Sequence, residues 1–299
     1  MKVFVTGGTG YIGNAVALRL KKAGHDVLAL VRSKDKAANL AAAGIKLVEG
    51  ELGNPAGWAP AAYGRAAVVH CAFHQGENGV DLDRRTIIAS RDLLRGQVGA
   101  TLVYTSGCWV YGDTADVVDE SAELNPAKLV GWRPAHEKLA LEAAKDGVRS
   151  VVVRPGIVYG GAHGGIPGGF FATASKGAAQ AIGDGRNRWP MVHIDDLAEL
   201  YVRLVERAPA GSIFNAVDPS RATVKEIASA ASRAAGKDGE VSFTALDQAR
   251  AKFGVFADAL CLDQRLSSEK AENDLDWRPR HEGFIADADE LFKVWRAAQ

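Results

Sequence analysis

Met1-Lys2-Val3-Phe4-Val5-Thr6-Gly7-Gly8-Thr9-Gly10-Tyr11-Ile12-Gly13 opens the chain, and its reading decides the fold. Residues 3–5 are a short apolar run of β-favouring side chains, whereas residues 14–22 place Ala15, Val16, Leu18 and Leu20 where a helix can turn them toward a sheet. Glycines fill the space between. Lacking Cβ atoms, Gly7 and Gly10 let the backbone turn sharply and come close to an anion, and Gly13 lets the helix lie against the strand. Unpaired amides and the positive helix end then face that anion. With a strand before it and a helix behind it, the triplet reads as a cradle for a dinucleotide pyrophosphate, formed by Gly7, Thr9, Gly10, Tyr11, Ile12 and Gly13.

Outward from this motif, strand-like runs at residues 26–31, 46–49, 67–71, 101–105 and 151–154 alternate with helical patterns at 34–43, 80–96 and 134–145. That alternation predicts an α/β protein, a Rossmann-type doubly wound parallel sheet with a smaller, discontinuous C-terminal lobe. Residues 1–160 and 191–217 are assigned to the dinucleotide-binding unit, and residues 161–190 and 218–299 to the substrate lobe. The run Gly161-Ala162-His163-Gly164-Gly165-Ile166-Pro167-Gly168-Gly169 is expected to be an irregular loop over a cleft.

Composition narrows the function. The chain has 299 residues, and its 36 basic side chains are matched by 36 acidic ones, so no overall field draws nucleic acid or an acidic membrane. Cys71, Cys108 and Cys261 are too few and too far apart for a disulfide framework or a metal site. With no signal-like or membrane-length apolar run expected, the reading is a cytoplasmic protein acting on a small molecule, without metal.

Several motifs in order, the glycine cradle, Val69-His70-Cys71-Ala72, Tyr104-Thr105-Ser106 with Val110-Tyr111-Gly112, Arg154-Pro155-Gly156-Ile157-Val158-Tyr159-Gly160, and Val192-His193-Ile194-Asp195-Asp196, resemble the extended short-chain dehydrogenase/reductases of the NAD-dependent epimerase/dehydratase type. The resemblance covers nearly the whole length. It implies a nicotinamide dinucleotide touching Cys71, Ala72, Phe73, Thr105, Pro155 and Gly156, with Glu51 and Leu52 near the adenine. It further implies a possible homodimer through the helices after the fourth and fifth strands.

The family's chemistry uses a Tyr-x-x-x-Lys pair on the helix after the fifth strand, and here the pattern departs. Lys138 fits the lysine position and is expected to hold the nicotinamide ribose, but Pro134 stands where the tyrosine belongs and Gly107 where a serine or threonine belongs. Proline cannot carry a proton. His74 and Tyr111 are the alternative proton-handling residues, while His136, about 200° round the helix from Pro134, is expected to point away from Lys138.

After the second strand stand Arg32, Ser33 and Lys34, with no acidic residue to grip a ribose 2′-hydroxyl, so NADP(H) is favoured over NAD(H). Substrate contacts are expected from Ser106, Gly107, Cys108, Trp109, Tyr159, His163, Arg186 and Arg188. The two late arginines suit a sugar-nucleotide diphosphate, whereas Trp109, Trp132, Trp189, Phe73 and Phe170 suit an apolar, non-nucleotide substrate. The reading is an NADP(H)-dependent oxidoreductase or epimerase-like enzyme acting on a small carbonyl or hydroxyl compound, with a silent dinucleotide-binding sensor or scaffold, or a non-redox isomerase or lyase, as alternatives.

Overall fold

A computed structural model describes residues 1–299. Its strands are β1 Lys2–Thr6, β2 Asp26–Val31, β3 Lys46–Glu49, β4 Ala67–His70, β5 Thr101–Thr105, β6 Arg149–Pro155, β7 Ile157–Gly160, β8 Gly164–Gly165, β9 Ala179–Ile182, β10 Met191–His193, β11 Ser212–Ala216 and β12 Val241–Thr244. The helices are α1 Tyr11–Lys22, α2 Ala38–Ala42, α3 Pro55–Ala62, α4 Gly79–Leu94, α5 Arg133–Leu141, α6 Gly168–Ala174, α7 Ile194–Arg207, α8 Val224–Ala234, α9 Leu246–Phe253, α10 Val255–Leu260, α11 Glu269–Leu275 and α12 Ala288–Ala297.

Seven strands form one parallel sheet in the order β11-β6-β5-β4-β1-β2-β3. The chain leaves β1 in one direction through β2 and β3, then returns to the other side of β1 as β4. The crevice that this reversal opens beyond the carboxyl ends of β1 and β4 is the ligand site of such folds. Both faces of the sheet are covered, which is why the strands read as continuous apolar runs. Val3 and Val5 pack with Val16 and Leu20 of α1 and Leu197 of α7, while Phe4, pointing the other way, joins Trp58, Ile87 and Ala140.

A third apolar cluster builds the smaller lobe. It unites Phe170 and Phe171 of α6, Ile227 of α8 and Leu291 of α12 with Cys108, Val110, Tyr111, Ile157 and Tyr159. Cys108, Val110 and Tyr111, just after β5, therefore share an apolar cluster with α6, α8 and α12.

The glycine run at 161–169 is more ordered than expected. Gly164 and Gly165 pair antiparallel with Tyr159 and Gly160, and α6 begins at Gly168. A Cβ on Gly165 would strike the Val158 carbonyl, so glycine serves a close backbone approach there. No helix is long and apolar enough to cross a membrane.

The C-terminal tail is fastened to the first unit by Trp277, which is fully buried and donates its indole N–H to the Asp196 carbonyl at 2.9 Å. Trp277→Ala removes that hydrogen bond and leaves a cavity, and should cost about 3–5 kcal/mol. Urea denaturation of the two proteins measures the difference.

Candidate active site

The cradle has the form that its sequence predicts. Gly7 has φ +77°, and a Cβ there would lie 2.9 Å from the Ala72 backbone; one on Gly13 would overlap the Gly7 carbonyl. Glycine thus draws the β1 turn, the start of α1 and the end of β4 together. Helix α1 starts with Gly10 as N-cap, no side-chain cap and no acidic residue in its first turn, so its amides and positive end are left for an anion. This arrangement fits a nucleotide pyrophosphate. Arg32, Lys34 and Glu51 are exposed, Ser33 and Leu52 half-buried, around the ends of β2 and β3.

Tyr11 and His163 stack with ring centres 4.9 Å apart, and the Tyr11 hydroxyl donates to Gly160 at 2.7 Å. Together with Thr9 and Gly10 they line a cavity of about 740 Å³ running between α1 and α7, away from the ends of β5 and β6. His163 therefore lies apart from the other residues expected at the substrate.

At the strand ends most hydroxyls are engaged. Thr105 Oγ1 lies 2.6 Å from the Tyr201 hydroxyl and 3.5 Å from Cys71 Sγ. Tyr104 donates to Asp83 at 2.9 Å, Ser106 donates to Glu137, and Tyr111 donates to Asn215 Oδ1 at 2.7 Å while accepting from Arg154 at 2.7 Å. Burial raises the Tyr111 phenol to about 12 despite the opposing Arg154 charge. Tyr111 is thus an interior strut and not a free proton donor. Burial likewise pushes the Cys71 thiol to about 11 and Cys108 to about 12, which leaves both in the inert thiol form. Tyr159 is fully buried in the smaller lobe's core.

Helix α5 carries the largest correction. Lys138 is exposed and lines a surface groove with Pro134, Glu137, Leu141 and Lys145. The residues that α5 turns inward, four apart on one face, are Arg133 and Glu137. Glu137 is buried and accepts from Arg154 at 3.0 and 2.6 Å in a two-pronged ion pair. Arg133 donates to the Thr105 carbonyl at 3.1 Å and stacks 4.6 Å from the Trp132 ring centre. The spacing of four is met both by Pro134 with Lys138 and by Arg133 with Glu137, and it is the second pair that is bonded to β5 and β6. A buried partner for Arg154 was the signal that could have found them.

His136 faces the opposite neighbour, α4, where its Nδ1 lies 2.7 Å from Asp83. Burial alone would raise the Asp83 carboxyl; hydrogen bonding from His136 and His70 and the charge of Arg133 outweigh it and hold Asp83 well below the usual carboxylate range.

The remaining expected contacts divide. Gly107 borders open space, since a Cβ there would meet nothing within 4 Å. Trp109 is half-buried against Phe256, and Phe73 is exposed and stacked on Trp132 at 5.2 Å. His74 is exposed in the loop after β4. Gly156 is explained by packing, because a Cβ would overlap Pro190. Arg186 has an 88% exposed side chain beside Asp184, and the Arg188 guanidinium lies 3.9 Å from Asp263.

A model of the NAD dependent epimerase/dehydratase family matches residues 3–216. The chain belongs to that family. It is 33% identical to an uncharacterised protein of Schizosaccharomyces pombe over 96% of this chain and 98% of the relative. It is 26% identical to a 4-hydroxy-2-methyl-3-oxo-4-farnesyl-3,4-dihydroquinoline-1-oxide ketoreductase of Stigmatella aurantiaca, over 94% of this chain and 92% of that one. A UDP-glucose 4-epimerase of Thermotoga maritima, solved with UDP-glucose, has the same fold, with a TM-score of 0.85 over 99% of both chains at 18% identity. The family consists of nicotinamide-dependent oxidoreductases and epimerases, and this chain has its Rossmann architecture.

Two outcomes test the network. Glu137→Ala strands the buried Arg154 charge and should cost about 3–5 kcal/mol, whereas Lys138→Ala should stay within about 0.5 kcal/mol of wild type in urea denaturation. Because the folded Asp83 carboxyl ionises below its unfolded value, its contribution is present above about pH 4 and lost as pH falls further. Asp83→Asn should therefore be less stable at neutral pH, with a flatter acid limb in a pH series of urea midpoints.

Proposed function

We propose that this protein is an NADP(H)-dependent reductase of a small, non-nucleotide carbonyl compound. When bound, the dinucleotide supplies or accepts a hydride. The observation that carries the cofactor preference is Arg32, exposed directly after β2 and in no ion pair, where the strand end carries no acidic residue to grip a ribose 2′-hydroxyl. A guanidinium fork there matches a 2′-phosphate, with Ser33 and Lys34 adjacent. Main-chain amides at the start of α1 hold the diphosphate.

Three features favour a non-nucleotide substrate. Arg186 turns outward and Arg188 sits beside Asp263, so neither is free in the crevice as a diphosphate clamp. Phe73 and Trp132 stack at the carboxyl side of the sheet, an aromatic surface suited to an apolar ligand. A near-full-length relative is a ketoreductase. A second reading, a dinucleotide-binding protein without turnover, is favoured by the engagement of Tyr104, Thr105, Ser106 and Tyr111, none of which is free to exchange a proton.

Calorimetry separates these. NADPH should bind more tightly than NADH, and Arg32→Ala should weaken NADPH by about ten- to a hundredfold while leaving NADH nearly unchanged, as expected for a lost charge-assisted contact. Tighter NADH binding, or no effect of the substitution, refutes the NADP(H) assignment. Bound NADPH that is never oxidised by a panel of ketones favours the second reading.

A further inference from the structure

We propose that Arg133 is the residue that binds the substrate oxygen, and that the crevice takes a planar, conjugated carbonyl compound; this rests on the reductase reading. At the carboxyl end of β5 the neutral donors are committed: Tyr104 to Asp83, Thr105 with Tyr201 and Cys71, Ser106 to Glu137 and Tyr111 to Asn215. Arg133 differs. Of its five N–H groups one meets the Thr105 carbonyl, and no carboxylate lies within ion-pair distance of the guanidinium: Glu137 is taken by Arg154, and the buried Asp83, which feels the Arg133 charge, is bonded to Tyr104 and His136. A half-buried guanidinium with N–H groups left over at the carboxyl end of β5 can serve as an oxyanion site.

The shape of the site follows from its neighbours. The rings of Phe73 and Trp132 stack within 10° of parallel, and the guanidinium lies over both, 4.6 Å from Trp132 and 5.5 Å from Phe73. That flat wall suits a planar ligand whose oxygen reaches the guanidinium edge. Two residues beyond Thr105, Gly107 leaves open space where a side chain would stand.

In the reduction the hydride and its electron pair come from a reduced nicotinamide, which is oxidised. A C–H bond forms at the carbonyl carbon, the C=O π pair moves to oxygen, Arg133 stabilises the resulting alkoxide, and water supplies the proton. Arginine stays protonated throughout, so it holds charge and does not transfer a proton. A cation thus replaces the family's acidic phenol.

The test uses 4-nitrophenol, a planar oxyanion probe whose phenolate and phenol forms have distinct spectra, titrated with the nucleotide-free protein across a pH series. Wild type should favour the phenolate about tenfold, seen as a fall of about one unit in the bound probe's apparent pKa. Arg133→Ala should abolish that preference, Arg133→Lys should keep part of it, and Lys138→Ala should leave it unchanged. A folded Arg133→Ala protein, with wild-type circular dichroism and melting temperature, that still favours the phenolate overturns the proposal, as does a wild type showing no phenolate preference. Because no nucleotide is present, failure here leaves the NADPH calorimetry standing, and failure of the calorimetry leaves this titration interpretable.

Discussion

The two-pronged ion pair between Glu137 and Arg154 decides how α5 lies on the sheet. Arg154, near the end of β6, is 2% exposed and needs a counter-charge, because an isolated buried charge is far more costly than a paired one. Only a rotation of α5 that brings Glu137 inward supplies it. Once that rotation is set, Arg133, one turn earlier, falls over the end of β5, and the Lys138 side chain is left exposed. The position of Arg133 at the end of β5 is therefore tied to charge neutralisation one turn along the same helix.

That constraint spreads through hydrogen bonds. Glu137 also takes the Ser106 proton, and Arg154 donates to Tyr111, which donates to Asn215 of β11. On the other side of α5, His136, Tyr104 and the neighbouring His70 converge on Asp83 of α4. The helix is thus gripped from two sides by buried polar groups. Such networks favour one geometry because each member left unpaired is costly. The result is a buried polar floor beneath Arg133 and the Phe73–Trp132 stack.

Much of the architecture was legible because its causes are local. A glycine triplet between a strand and a helix admits few packings, since Gly7 and Gly13 stand where any Cβ would meet backbone. Alternation of apolar runs reports a sheet covered on both faces. The order at Gly164 and Gly165 was not legible, since glycine enrichment marks both loose loops and backbones in close contact. The placement of residues 108–111 was hidden for a similar reason, since apolar side chains there could serve either lobe.

The sequence by itself determined the parallel sheet, the glycine cradle between its first strand and helix and the absence of an acidic residue directly after β2, because these depend on periodicity, on missing Cβ atoms and on residue type. Only the tertiary structure decided which face of α5 meets the crevice, that Tyr111, Tyr159 and Cys108 are interior, and that Arg186 turns outward. Those outcomes depend on which charges find partners across elements distant in the chain, and a spacing of four along a helix carries no record of that pairing.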